Sequence, residues 1–182
     1  MIKYKRIKSI EIKKGNKKRG RLVNTVIKQL RKKLIQFEKE SERKSEDDLS
    51  NQIILWLLED CLGYERSSMH WEKRLTSKNR NRFADIVIDI QEGEKLIVET
   101  KKYDSQKDLD EEDIQQLIDY LSRENSLWGI LTNGREILLI NMIASANINV
   151  MEKIVLRINV AVGKQRGKNE KYISYLSKEK LF

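Results

Sequence analysis

Ala84 to Ile90 reads ADIVIDI and Lys95 to Lys101 reads KLIVETK, with Gln91-Glu92-Gly93-Glu94 between them. Both runs are apolar and rich in β-branched residues, and the link carries turn residues, so the pair predicts a β-hairpin. Side chains two apart on a strand share a face. Ile97, Glu99 and Lys101 therefore lie on one face, and Val98 and Thr100 on the other. A carboxylate and an ammonium at the end of an apolar strand need a reason. Asp85 opens the preceding strand, and a hairpin would fold it back beside Glu99. Two carboxylates and one lysine are thus expected to converge.

The flanking sequence predicts what packs on this hairpin. Ser45 is a good N-cap for a helix opening with Glu46-Asp47-Asp48, since acids in a first turn suit the helix dipole. The run from Leu49 to Leu62 is apolar on more than one face, as in a helix buried against a sheet, and Gly63 ends it. Upstream, from about Arg21 to Glu42, Val23, Val26, Ile27, Leu30 and Leu34 recur at helical spacing on an otherwise basic helix. Residues 1–20 read as a short strand or an arm. Trp71 to Leu75 reads as a short strand and Ser77 to Arg82 as a basic loop. Downstream, Asp110 to Glu124 predicts a helix with Ile114, Leu117, Ile118 and Leu121 inward. Strands at 127–131, 136–141 and 153–160 follow, the first two hinged at Thr132-Asn133-Gly134. The expected class is α/β or α+β, a mixed sheet flanked by helices.

Charge divides the chain in the same places. Residues 1–45 hold 17 Lys+Arg against 4 Asp+Glu, residues 46–150 hold 12 against 21, and residues 151–182 hold 8 against 3. A basic N-terminal arm and helix (1–45), an acidic core (46–150) and a final strand with a basic tail (151–182) are the expected divisions. Phosphate contact by basic flanks around an acidic, metal-binding centre is one reading. A solvated, solubilising surface is the other.

Rare residues narrow the chemistry. The 182 residues include one His and one Cys. His-rich and Cys-based metal sites are excluded, and a lone Cys61 makes no internal disulfide. There is no G-x-S-x-G, and Gly163 to Lys168 (GKQRGK) lacks the spacing and the Ser/Thr of a P-loop. No apolar run nears the roughly 18 residues of a membrane span, and the basic start lacks the apolar core of a signal peptide. A cytoplasmic location is expected.

Carboxylates and lysine remain. Mg²⁺ is held by one or two carboxylates and keeps several waters. It polarises a phosphoryl oxygen and acidifies a bound water. A neighbouring Lys can position that water and stabilise negative charge. Asp85 and Glu99 are the candidate metal ligands, and Lys101 the candidate for charge stabilisation. On these residues alone, an ordinary cross-strand ion pair explains the set equally well. Glu46, preferred narrowly over Asp47, is a candidate acid from the helix start; its alternative role is dipole stabilisation. Glu72 could line the site from an edge strand, though a surface role suits it better. Gln116 and Tyr120, four apart on one helix face, could bond phosphate or brace the catalytic strand, or merely flank an amphipathic helix.

The segment from Glu46 to about Asn141 resembles the PD-(D/E)XK nuclease superfamily, and more closely the N-terminal nuclease domain of type I restriction enzyme R subunits. The resembling elements are the helix with an early acid ending in Leu62-Gly63-Tyr64, Glu72 in a short strand, Asp85 in ADIVIDI and Glu99-Thr100-Lys101. Gln116-Leu117-Ile118-Asp119-Tyr120 matches a Q-x-x-x-Y helix motif, and Gly129 to Gly134 matches the strand and turn after it. Ala84 stands where the superfamily often has Pro. The resemblance implies a restriction-endonuclease-like core and Mg²⁺-dependent (or Mn²⁺-dependent) cleavage of DNA. It implies metal binding by Asp85 and Glu99, catalysis by Lys101, a supporting acid at Glu46 and contacts by Gln116 and Tyr120. No helicase motor follows in this sequence, so the chain is expected to act as a free-standing relative or as one piece of a larger system. Helicase or methyltransferase subunits, and an oligomer, are compatible partners. The alternatives are a non-catalytic DNA-binding module that keeps the fold, and an interaction subunit docked through the helix at 21–42.

Overall fold

The computed structural model describes residues 17–40, 45–75, 82–91, 93–104, 107–144, 149–162 and 167–182. Residues 1–16 and 76–81 lie outside them, and with them most of the expected N-terminal strand or arm and basic loop. Where those expectations reach described residues they are corrected: residues 17–20 are already helical, the helical spacing running on through Gly20, and Arg82 begins a strand.

Helix α1 (Lys17–Glu40) is followed by α2 (Glu46–Leu49), which runs on through two π-helical stretches, Ser50–Ile54 and Leu57–Cys61. Ser45 caps α2 as expected: its hydroxyl accepts the Asp48 N–H, and the Asp48 carboxylate accepts the Ser45 N–H, a reciprocal capping box. Strands β1 (Met69–Leu75), β2 (Arg82–Gln91) and β3 (Glu94–Thr100) come next, then α3 (Glu111–Arg123), β4 (Trp128–Thr132), β5 (Glu136–Asn141), β6 (Ile154–Asn159) and a short α4 (Lys178–Leu181).

The six strands form one sheet in sequence order. Every neighbouring pair is antiparallel except β3 and β4, which are parallel. A parallel pair cannot be joined by a tight turn, so α3 makes the crossover. The sheet is therefore mixed and covered on both faces, a restriction-endonuclease-like α/β arrangement.

Alternation along the strands builds two cores. Ile86, Ile88, Leu96, Val98, Ile130, Leu139 and Ile158 face one side, where Ile27, Leu30, Leu34 and Phe37 of α1 and the apolar residues of α2 cover them. Val87, Ile97, Leu131, Leu138 and Ile140 face the other side, against Ile114, Leu117, Ile118 and Leu121 of α3. Each such side chain fully buried is worth roughly 1.5–3 kcal/mol. The inward stripe of α1 thus docks on the sheet, with Phe37 extending it a turn beyond Leu34. The C-terminal segment closes over the same core through Ile173 and Leu176. It is tied down by an Arg31–Glu170 ion pair and by the Tyr64 hydroxyl, which donates to the Leu176 carbonyl at 2.7 Å.

The Asn133-Gly134 turn between β4 and β5 is wedged under the helices. Gly134 has φ +84°, and a Cβ there would meet Leu49 Cδ1 at 2.9 Å and Leu34 Cδ2 at 3.1 Å. Both the left-handed backbone and the close approach require glycine. Gly134→Ala is expected to cost about 2 kcal/mol, read as a lowered denaturant midpoint. A neutral result would mean that α1 and α2 can retreat from the turn.

Candidate active site

The β2–β3 register pairs Ile86 with Val98 and Val87 with Ile97. Continued by one residue, it sets Asp85 opposite Glu99. Glu99 shares the α3 face of the sheet with Ile97. Asp85 lies close enough to act on it through its charge, at a point where Ala84 packs in the same cluster as Val87 and the alternation of β2 is broken. Asp85 Oδ2 accepts the Thr100 N–H at 2.7 Å, which seals the hairpin where its ladder stops.

Lys101 continues the line of β3, its N–H donating to the Thr132 carbonyl at 2.7 Å. Its Nζ donates to Glu99 Oε1 at 3.0 Å and to Gln116 Oε1 at 2.8 Å. The Gln116 amide turns its Nε2 to Glu99 Oε1 at 2.9 Å and to the Tyr120 hydroxyl at 2.6 Å. One turn of α3 therefore sets the rotamers of both Glu99 and Lys101. The Asp110–Asp113 capping box fixes where that helix starts.

Glu46 reaches the site from the other helical layer. It is exposed, yet its Oε1 accepts the Lys102 N–H at 3.1 Å. Ser50 Oγ and Thr100 Oγ1, both buried, are 2.9 Å apart and pin α2 to β3 below it. Asp47 is exposed and acts on Asp85 through its charge. Glu72 is exposed on β1 with a left-handed backbone, φ 44°, at the register position opposite Asp85, between the pairs Trp71–Ile86 and Lys73–Ala84. Glu59, late in the helical run after α2, lies 3.7 Å from Arg66.

The electrostatics are those of a site short of positive charge. Burial, and then the neighbouring Asp85, push the Glu99 carboxyl up to about 7 against the pull of Lys101. Burial also raises Asp85, the Thr100 N–H opposing and Glu46 adding to it. Burial draws Lys101 down, but the charge and hydrogen bond of Glu99 outweigh it and the net shift is upward. Glu99 is 3% exposed; its second oxygen, Oε2, is buried and makes no hydrogen bond of normal geometry, the Asp85 N–H exerting only a minor downward pull on the carboxyl.

Among the described residues, no group of three or more His, Cys, Asp or Glu side chains forms a metal cage. The donors that do converge are two carboxylates, one with an orphaned oxygen, in a site where like charge is costly. That set fits a hard divalent cation that keeps most of its waters.

The Glu99 shift has a measurable consequence. Between about 4.5 and about 7 the folded protein holds a proton that the unfolded chain has released. Its contribution to stability is therefore present at low pH and lost as pH rises through about 7. In EDTA the melting temperature should fall by about 10 °C across that window from this group alone, and Glu99→Gln should flatten the fall. An unchanged profile in Glu99→Gln would show that Glu99 titrates normally.

Residues 46–154 match the family model described as type I restriction enzyme R protein N terminus (HSDR_N). The chain belongs to this family. The matched region is its PD-(D/E)XK nuclease-like domain, so the role of the chain is of the restriction type. Neither a curated protein nor a solved structure matches the chain. In this family member the Q-x-x-x-Y pair is wired directly to the strand carrying Glu99 and Lys101. Sequence reasoning missed Ser50, Thr100 and Asp113, which pin or bias the site from second positions. The capping box around Asp110 was the signal for Asp113; Ser50 had none, because its partner is fifty residues away. No helix among the described residues is long and apolar enough to cross a membrane.

Proposed function

We propose that the chain is a Mg²⁺-dependent DNA endonuclease of restriction type, with Mn²⁺ as an alternative ion. The observation that carries the reading is the buried Glu99 carboxylate, set opposite Asp85, with Oε2 unpartnered and Lys101 Nζ 3.0 Å from Oε1. An ordinary ion pair can also leave one oxygen unpartnered, as Glu59 does beside Arg66, but it does not bring up a second carboxylate, as Asp85 is brought up to Glu99.

Asp85 and Glu99 would hold the ion. When bound, it polarises the phosphoryl group and makes a water acidic enough to attack. The protein groups do the remaining work. Lys101, held by Glu99 and Gln116, keeps its ammonium fixed beside the carboxylates, where it stabilises charge developing on the phosphate without reorganising. Gln116 and Tyr120 stop the Lys101–Glu99 pair from swinging into solvent. Glu46, bonded to the Lys102 N–H, fixes the backbone just past the lysine.

Incubating supercoiled plasmid with the protein and Mg²⁺ tests this. Nicked or linear product is expected with Mg²⁺ and none in EDTA. DNA binding without product at any Mg²⁺ or Mn²⁺ concentration would leave a non-catalytic binding module instead. Helicase or methyltransferase subunits are the partners this reading calls for, checked by co-purification from the native host.

A further inference from the structure

A second polar cleft, of about 520 Å³, lies on the same end of the sheet as Glu99 and Lys101. Arg135, Arg157, Lys168, Asn159 and Asn169 line it, together with the acids Asp108 and Glu136. Backbone bonds link the two sites strand by strand. Lys101 N–H bonds Thr132, Asn133 N–H bonds Glu136, Val160 N–H bonds Arg135, and Asn159 pairs with Lys168. Arg157 pairs in register with Leu138, whose side chain faces α3. Arg157 therefore stands on the sheet face that carries Glu99. Three strand spacings separate β3 from β6, roughly 14 Å. On one strand of duplex DNA, with a phosphate every 3.4 Å or so of helix axis, that spans about four phosphates.

Internal pairing does not saturate the cleft. Arg135 pairs with Asp108, and Arg157 Nη1 lies 3.3 Å from Glu136 Oε1. Arg157 Nη2, however, is buried without a hydrogen-bond partner. Nη2 itself is shielded, but the Arg157 side chain is 34% exposed, so a small rotation of the guanidinium would turn its unmet donor to an oxyanion in the cleft. Lys168 adds an exposed ammonium at the rim, and the three cations outnumber the two acids.

We infer that this cleft binds a backbone phosphate of the same DNA, a few nucleotides from the scissile bond, through Arg157 and Lys168. The inference rests on the DNA-cleaving reading above but uses residues outside the catalytic group. It fixes the path of the DNA: along the end of the sheet from β3 toward β6, rather than across β1 and β2.

The test is fluorescence anisotropy of a labelled duplex with the full chain carrying Asp85→Ala, in EDTA, over a range of salt concentrations. Lys168→Ala and Arg157→Gln are compared with that background. Lys168 is exposed, so its removal leaves the fold intact, and Gln at 157 keeps a donor for Glu136. Each change should weaken binding about 10-fold at low salt and lower the slope of log K against log salt by about one. Arg123→Ala should leave the slope unchanged. Arg123 is exposed on the last turn of α3, at the far end of the sheet, where Ser126 bonds the Lys95 carbonyl. An unaltered slope in both cleft variants, an equal loss in Arg123→Ala, or no DNA binding by the background protein overturns the inference. Plasmid nicking by the wild type, measured separately, reports on the catalytic reading, so either can fail alone.

Discussion

Asp85→Ala and Lys101→Ala should each lower Mg²⁺-dependent plasmid nicking by about 10³-fold. The two losses have different physical origins. Asp85→Ala removes one of the two carboxylates proposed to hold the ion and deprives the Thr100 N–H of its acceptor. With Glu99 alone, the ion is held less tightly, so excess Mg²⁺ should recover part of the activity. Lys101→Ala leaves both carboxylates but removes the cation that offsets burial at Glu99. Excess Mg²⁺ should not recover it. Lys101→Arg keeps the charge, but a planar guanidinium does not reproduce the compact ammonium bonded to both Glu99 and Gln116, and little activity should return. Circular dichroism would confirm folding in each case. Equal nicking by the wild type and both alanine variants would place the activity elsewhere.

Glu136→Ala should destabilise the protein by about 3 kcal/mol, a large part of the 5–15 kcal/mol typical of a domain. Glu136 is fully buried in the core of the sheet's end. Its Oε2 accepts the Leu109 N–H at 2.8 Å, and its Oε1 serves Asn159 Nδ2 at 3.2 Å and Arg157 Nη1 at 3.3 Å. Truncation leaves a buried N–H unsatisfied and takes the counter-ion from Arg157. It also releases the segment leading into α3, which holds Gln116 over Glu99 and Lys101. Glu136→Gln keeps acceptors for Leu109 and should cost about half as much. Urea denaturation measures both. A cost below about 1 kcal/mol for the alanine variant would mean that water replaces the carboxylate.

The elements around the site were readable because each depends on local chemistry. Ser45 and the acids after it announced the start of α2, and ADIVIDI with KLIVETK announced the hairpin. Even the juxtaposition of Asp85 and Glu99 followed from the turn between them, since a hairpin's register is set locally. The basic N-terminal helix was legible as amphipathic from Ile27, Leu30 and Leu34. Its partner was not, because periodicity marks the buried face without naming what buries it.

By itself, then, the sequence determined the strand and helix order, the hairpin that brings the two carboxylates together, and the exclusion of His-rich and Cys-based metal sites. Tertiary structure decided three things. The first is that Gln116 bonds both Glu99 and Lys101. The second is that Ser50 meets Thr100 across the sheet. The third is that Arg135, Arg157 and Lys168 gather on the end of the sheet that carries Glu99 and Lys101. Each contact joins residues distant in the chain, and such contacts depend on how β3 and β4 lie parallel beneath α3. No periodicity or spacing encodes that placement; it emerges only when both faces of the sheet are buried at once.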